Sequence, residues 1–411
     1  MQHSDAVIIG AGQAGLAMSH CLGRQGIDHV VLDRGRVGER WRSERWDSLR
    51  LLTPNWMSRL PGWSYRGADP DGYMTMPEVV RYLEDYARSS AAPVETGTVV
   101  RAVERTPHGY RVETNRGVRA TRAVVIATGQ CDVPMVPAMA RHLPPDIHQI
   151  TPQHYRNPDQ LPEGGVLVVG ASATGVQLAE ELHRAGRPVT LSVGRHTRLP
   201  RLYRGRDILW WMDRIGVLDE TADQVPDIVR ARAQPSLQLV GHPDRRTIDL
   251  MTLREQGVRI VGRAEGIDGH RVGIRDDLAE TTAAAQRKLE RLLARIDART
   301  GDGGPFAREV PAPIGLGPSP AALDLRAEGI RSVVWATGYR RDYGWLKVPV
   351  LDAAGEVVHH GGITPSPGLY VLGLRFLRRR KSNFIDGVGA DAEELAGDVL
   401  GHLAKHGCVA A

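Results

Sequence analysis

The sequence predicts an α/β fold made of two glycine-rich strand–turn–helix units, the second inserted into a discontinuous first. Three observations carry this reading. Two turns share one frame, Gly10-Ala11-Gly12-Gln13-Ala14-Gly15 and Gly170-Ala171-Ser172-Ala173-Thr174-Gly175. Each follows a short apolar run, which reads as a buried parallel strand, and opens a helical stretch. Two further strands end in one tripeptide, Ala127-Thr128-Gly129 and Ala336-Thr337-Gly338. Such units are Rossmann-like dinucleotide-binding folds.

The first unit runs from the strand Ala6-Val7-Ile8-Ile9 through the turn into a helix over Leu16–Leu22, then into the strand His29-Val30-Val31-Leu32. With 46 glycines in 411 residues, the turn alone would be a weak signal, so the flanking strand, helix and acid decide. Gly10 permits the tight turn, Gly12 lets backbone approach a pyrophosphate, and Gly15 lets helix pack on strand. The helix N-terminus, with Gln13 and Ala14, offers unpaired N–H groups to the phosphates. Asp33 ends the second strand where a carboxylate accepts from a ribose, and Arg34 follows it.

The segment Arg40–Trp56 is aromatic, polar and broken by Pro54; its tryptophans either pack a core or line a flat ring system. A helix with Pro at its start is predicted over Pro77–Ala87. Antiparallel strands follow over about 99–118, and the strand Ala123–Ile126 leads to Thr128 and Gly129. The Pro-rich stretch 134–162 reads as a linker.

In the second unit the strand Val166–Val169, the turn with Gly170, Ser172, Thr174 and Gly175, and the helix Val176–Leu182 repeat the frame. The next strand, Pro188–Val193, ends without an acid, at Gly194-Arg195-His196-Thr197-Arg198. An acid repels a 2′-phosphate and an arginine pairs with it, so the first site suits FAD or NAD and the second NADP. Arg195 is the first choice for the 2′-phosphate and Arg198 the second; the alternative is solvated surface arginines in an Arg-rich chain. Region 200–275, with Tyr203, Trp210 and Trp211, is where a substrate pocket is expected, and a helix is predicted near 280–298. The strand Ser332–Trp335, ending in Ala336, Thr337 and Gly338, is expected to bring the chain back to the first unit. The expected boundaries are 1–150 for the first part of the FAD domain, 151–325 for the NADP domain with a helical insert, and 326–411 for the return.

Composition excludes several classes. Hydrophobic content of 42% and charged content of 25% are those of a soluble globular chain. The net charge of +5 is spread along the chain, its one dense cluster being Arg378-Arg379-Arg380-Lys381, so no nucleic-acid partner is read. Cys21, Cys131 and Cys408 are far apart and form no C-x-x-C pair, which argues against a disulfide framework, a zinc site or a dithiol relay and fits a cytoplasmic setting. No apolar run approaches the roughly 18 residues of a membrane span. The chain enters its first strand too soon for a secretory signal. Oligomeric state stays open, a homo-oligomer included.

The chain resembles the FAD- and NADPH-dependent monooxygenases with two Rossmann domains: flavin-containing, N-hydroxylating and Baeyer–Villiger monooxygenases. The two turns, the two Ala-Thr-Gly strands, Arg40-Trp41, the late strand Pro367–Gly373, and Asp386-Gly387-Val388-Gly389-Ala390-Asp391 before a helix carry the likeness. The resemblance implies hydride transfer from NADPH to the flavin, reaction with O2 to a C4a-peroxyflavin, and oxygenation of a small organic substrate. It also implies that Asp386 lies by the flavin and that Asn55 donates a hydrogen bond to the oxygenated flavin; a turn role for Asn55 is the other reading. One departure weakens oxygen transfer. The usual linker pattern F-x-G-x-x-x-H-x-x-x-(Y/F/W), aligned on Tyr155, places Thr151 at the histidine and lacks the Phe and Gly, with His148 as a shifted substitute. A dehydrogenase or oxidase without oxygen transfer, and a redox-sensing flavoprotein, therefore remain as alternatives.

Overall fold

The computed structural model describes residues 2–300 and 310–406, with Thr300 and His406 described in backbone only; Cys408 lies outside these residues. Two sheets organise the chain. The first has seven strands. Its parallel part places Val94–Glu95, His29–Leu32, Gln2–Ile9 and Gly117–Ile126 side by side, with Leu369–Val371 beyond. On the edge away from Gln2–Ile9, Gly117–Ile126 is long enough to serve two neighbours: its early residues pair antiparallel with Gly109–Thr114 and its last three pair parallel with Leu369–Val371. Val7, Ile8, Val31, Val124, Val125 and Leu369 are wholly buried, as apolar runs in a sheet covered on both faces should be.

The second sheet is all parallel, in the order His148–Ile150, Ile330–Trp335, Gly165–Val169, Val189–Ser192, Arg259–Val261. Its strands all fall between those of the first sheet in sequence. This corrects both expected boundaries. His148–Ile150 is the edge strand of the second sheet, and Ile330–Trp335 lies at its centre rather than in the first unit. The physical reason is the repeat itself. Each glycine-rich turn needs a neighbouring strand to pack against, and Ala336 stands to Gly170 as Ala127 stands to Gly10. The chain crosses between units on a two-stranded antiparallel ribbon, out through Val133–Pro134 and back through Tyr339–Arg340.

The remaining helices close the units. Met76–Ser89 starts from a reciprocal Thr75–Glu78 cap with Pro77 in its first turn. Leu278–Thr300 buries Leu289, Leu293 and Ile296 against Tyr203, Ile208 and Leu209. Region 200–275 carries the short helices Ile208–Arg214, Ile228–Arg232 and Leu250–Gln256. Tyr203 is buried with its hydroxyl on Asp297, and the Trp211 indole N–H donates to the Tyr203 carbonyl at 2.6 Å, so these aromatics act as packing.

Candidate functional site

At two of its glycines the first glycine-rich turn leaves no room for a side chain. Gly10 has φ +110°, and a Cβ there would lie 2.6 Å from the Ala127 carbonyl oxygen. A Cβ on Gly15 would lie 1.8 Å from the Gly10 carbonyl oxygen. A Cβ on Gly12 would meet nothing within 4 Å, so this face of the turn is open. Gly12 caps the helix Gln13–Arg24 without any side-chain hydrogen bond. The result is a cradle of backbone N–H groups at a helix N-terminus, which fits a pyrophosphate.

Asp33 binds the turn. Its Oδ2 accepts from the Ala11 N–H at 2.6 Å and its Oδ1 from the Gly35 N–H at 2.7 Å. Beside it a cleft of about 610 Å³ is lined by Arg34, Gly35, Arg36, Glu39, Thr96 and Arg116, among others. Arg34 is exposed and pairs with Glu44 at 3.4 Å, while Arg40 holds Asp132 and the Cys131 carbonyl. The Trp41 indole N–H reaches Gln13 Oε1 at 3.4 Å, with the Arg45 guanidinium 5.4 Å from the ring centroid. Gln13, Arg40 and Trp41 are therefore gathered between the fingerprint helix and the segment that follows Thr128 and Gly129. Trp46, in contrast, is buried in the core of the second unit.

Two expected residues turn out to be engaged elsewhere. The Asn55 carboxamide, 4% exposed, accepts from the Met74 N–H at 2.8 Å and donates to the Asp69 carbonyl at 2.8 Å. It ties down the 69–74 loop, which is the turn role. Asp386, in the first turn of the helix Ile385–His406, is buried between Arg59 and Lys381, the latter at 3.1 Å.

The second turn copies the first. Gly170 has φ +108°, and a Cβ there would lie 2.4 Å from the Ala336 carbonyl oxygen; one on Gly175 would lie 1.7 Å from that of Gly170. Ser172 caps the helix Ala173–Arg184 with no side-chain hydrogen bond, and Thr174 is half-buried in its first turn. The Thr337 hydroxyl donates to the Met135 carbonyl, and Gly338 has φ +95° where the ribbon begins.

Past the strand Val189–Ser192 the two expected arginines part ways. Arg195 is exposed and has no carboxylate partner among the described residues. Arg198 is buried and fully used: it donates to Asp249 Oδ2 at 2.7 and 2.9 Å, to Gln286 at 2.8 Å and to the Ala312 carbonyl at 2.7 Å. Arg198 is thus a structural residue and not a phosphate ligand, because releasing it would strand a buried Asp249 charge. A residue the sequence did not suggest bears on Arg195 instead. Lys288, on the helix Leu278–Thr300, has its pKa lowered by burial first and then by Arg230, Arg195 and Arg291. Among the described residues no carboxylate pairs with Lys288 or Arg195, and a gathering of cations of this kind is a setting made for an anion. No sequence spacing links Lys288 to Arg195; only the fold joins them.

The linker joins the units. Tyr155 is wholly buried, and its hydroxyl donates to Glu181 Oε1 at 2.8 Å, while the Ser48 hydroxyl reaches the other oxygen of Glu181. Asn157 donates to Asp47 at 2.7 Å. Thr151 is bonded to His154 at 3.1 Å, and His148 is exposed on the sheet edge. Among the described residues no group of three or more His, Cys, Asp or Glu could hold a metal, and no helix is long and apolar enough to cross a membrane.

Known proteins share this architecture. The model of the pyridine nucleotide-disulphide oxidoreductase family matches residues 7–203. A CzcO-like oxidoreductase of Geobacillus kaustophilus is 34% identical over 407 residues, covering 98% of this chain and 100% of its own. Indole-3-pyruvate monooxygenase YUCCA1 of Oryza sativa is 31% identical over 198 residues, 46% of this chain and 47% of its own. The flavin-containing monooxygenase of Stenotrophomonas maltophilia shares the fold with a TM-score of 0.67 at 20% identity, over 98% of this chain and 99% of that one. The fold is one shared with flavin-containing and pyridine-nucleotide oxidoreductases, and the chain belongs to the CzcO-like oxidoreductases.

Proposed function

We propose that the chain is an FAD- and NADPH-dependent monooxygenase that transfers an oxygen atom from O2 to a small organic substrate. The observation that supports it most is the pair of equivalent turns with opposite charge beyond them: Asp33 at the first, Arg195 with Lys288 at the second. Gly12, the backbone around it and Asp33 would hold FAD, with Gln13, Arg34, Arg40, Trp41, Thr128 and Gly129 around them. Gly170, Ser172, Thr174, Gly175, Arg195 and Lys288 would hold NADPH against Ala336–Gly338. Bound flavin supplies hydride acceptance and oxygen activation; the chain supplies orientation and dryness. Asn55 serves as a positioning residue through the 69–74 loop. Free Cys21 and Cys131 accord with a reducing cytoplasm.

The departure at the linker supports a second reading, a dehydrogenase or oxidase without oxygen transfer, since Thr151 and His154 bond each other. Purified yellow protein distinguishes them. NADPH under nitrogen should bleach the flavin, and its failure to do so sinks both readings. Rapid mixing of reduced, NADP-bound protein with O2 should then give a transient absorbance unlike either flavin redox state; its absence favours the second reading.

A further inference from the structure

The middle residue of each glycine-rich turn is held differently. In the first turn both backbone groups of Ala11 are taken. Its N–H donates to Asp33 Oδ2 at 2.6 Å, and its carbonyl accepts from the Gly38 N–H at 3.0 Å. In the second turn the residue in the same place is Ala171. The two turns align because the Gly10 N–H donates to the Leu32 carbonyl and the Gly170 N–H to that of Ser192, at 2.7 and 2.9 Å. That register puts Val193, wholly buried, where Asp33 stands in the first unit. Valine accepts no hydrogen bond, and among the described residues nothing accepts from the Ala171 N–H. The Ala171 carbonyl is taken by a side chain instead: Gln238 Nε2 donates to it at 2.6 Å.

Gln238 reaches the turn from 67 residues away. It lies on the strand Leu237–Gln238, which pairs parallel with Thr197–Arg198 just past the second unit's own second strand. Gln177, on the helix that the turn opens, donates to the neighbouring Leu239 carbonyl at 2.7 Å and ties the same strand to that helix. A little further on, a Cβ on Gly241 would lie 1.9 Å from the Leu51 carbonyl oxygen, so the segment 237–241 touches both the second turn and the first unit. The Gln238 side chain is wholly buried, and its Oε1 has no hydrogen-bond partner. The Ala171 carbonyl decides which end of the amide faces the turn, since an oxygen there would be repelled. Burying half of an amide unpaired is unfavourable, and an apolar side chain would fill the space without that cost. A residue that breaks this rule marks a place where function outweighs stability.

We propose that Gln238 is a positioning residue for NADPH: through the Ala171 carbonyl it holds the second turn in the geometry that receives the coenzyme pyrophosphate. It does there what Asp33 and the Gly38 N–H do together at the first turn. This role rests on the NADPH reading, and binding needs no turnover, so oxidised FAD-loaded protein titrated with NADP+ in a calorimeter tests it. Wild type should bind. Gln238→Leu, which keeps most of the bulk and loses the donor, should weaken NADP+ about tenfold or more with FAD content retained. Gln238→Glu keeps a donor only while its carboxyl is protonated, so its affinity relative to wild type should be higher at about pH 5 than at about pH 9. Space-filling alone predicts no such pH dependence and no loss in the leucine variant. Should Gln238→Leu fail to fold, the glutamate variant at the two pH values carries the test. Wild-type affinity in Gln238→Leu, or a loss in Gln238→Glu that is the same at both pH values, overturns the proposal. So does loss of FAD together with NADP+, which would make Gln238 a tie between the units. Absence of NADP+ binding in wild type would overturn the NADPH reading and this role with it, whereas the variant outcomes overturn the role alone.

Discussion

In the first unit the strand His29–Leu32 runs into Asp33, whose carboxylate is drawn back onto the turn by the Ala11 and Gly35 N–H groups. In the second, Val189–Ser192 runs towards Arg195, which stands exposed and opposes the charge on Lys288. The glycine contacts of the two turns agree to a few tenths of an ångström: 2.6 against 2.4 Å for Gly10 and Gly170, 1.8 against 1.7 Å for Gly15 and Gly175. The backbone geometry of both turns fits a phosphate, and the side chains beyond each unit's second strand differ in charge, as sites for different nucleotides would.

The largest effect should come from filling one turn at a time. An added methyl at Gly15 or Gly175 collides with backbone rather than with a flexible side chain, so the turn must move. A cost above about 3 kcal/mol, over a hundredfold in affinity, is expected for that site. Gly15→Ala should emerge without FAD. Gly175→Ala should stay yellow and resist bleaching by NADPH. Loss of FAD from both would mean that the units do not fold or bind independently.

Arginine removal sharpens the same contrast. Arg198→Ala leaves Asp249 buried and unpaired, at a cost of about 3–5 kcal/mol in stability, visible as a large fall in Tm with an unchanged preference between NADPH and NADH. Arg195→Ala and Lys288→Ala should leave Tm nearly alone and raise KM for NADPH by about tenfold, roughly 1.4 kcal/mol, with KM for NADH altered far less. Equal rises for the two coenzymes would show that neither side chain meets the 2′-phosphate.

A loss of similar size should follow Asp33→Ala. Two backbone donors at the turn lose their acceptor, each worth about 1–3 kcal/mol if buried, and FAD affinity measured by flavin release should fall by about tenfold or more. Coenzyme preference should not change, since Asp33 belongs to the other turn.

These outcomes trace a line between what local sequence holds and what folding adds. The turns, their strands and Asp33 were legible because each phosphate site is written within about 30 residues of one βαβ unit. The place of Ile330–Trp335 was not, because a strand's apolar run does not say which of two similar sheets it joins. Arg195 and Arg198 look alike in sequence, and only the distant Asp249 and Gln286 separate them. Lys288 and Arg195 come from remote segments with no spacing to announce that they act on each other. Asn55 read as a site residue by resemblance, yet the loop it ties lies only about 15–20 residues ahead.

The smallest expected effect concerns the seam between the units. Glu181 lies on the second fingerprint helix and takes hydrogen bonds from Tyr155 and Ser48, but burial is the larger influence and raises its pKa above the ordinary carboxylate value. A carboxyl group with a raised pKa in the folded state is better tolerated protonated. Its favourable contribution is complete below the unfolded value near 4.5 and is lost as pH rises through the folded value. At pH 7 the ionised side chain is therefore a net cost, moderated because the group is partly solvated. Glu181→Gln removes the charge while its carbonyl oxygen can still accept from Tyr155. The variant should melt about a degree or two above wild type at pH 7. The gap should close as pH falls towards 4.5, where wild type becomes neutral as well. A variant less stable than wild type at pH 7 would show that the two hydrogen bonds to the anion outweigh its burial. The seam would then be held by charge in the same way as the turn at Asp33.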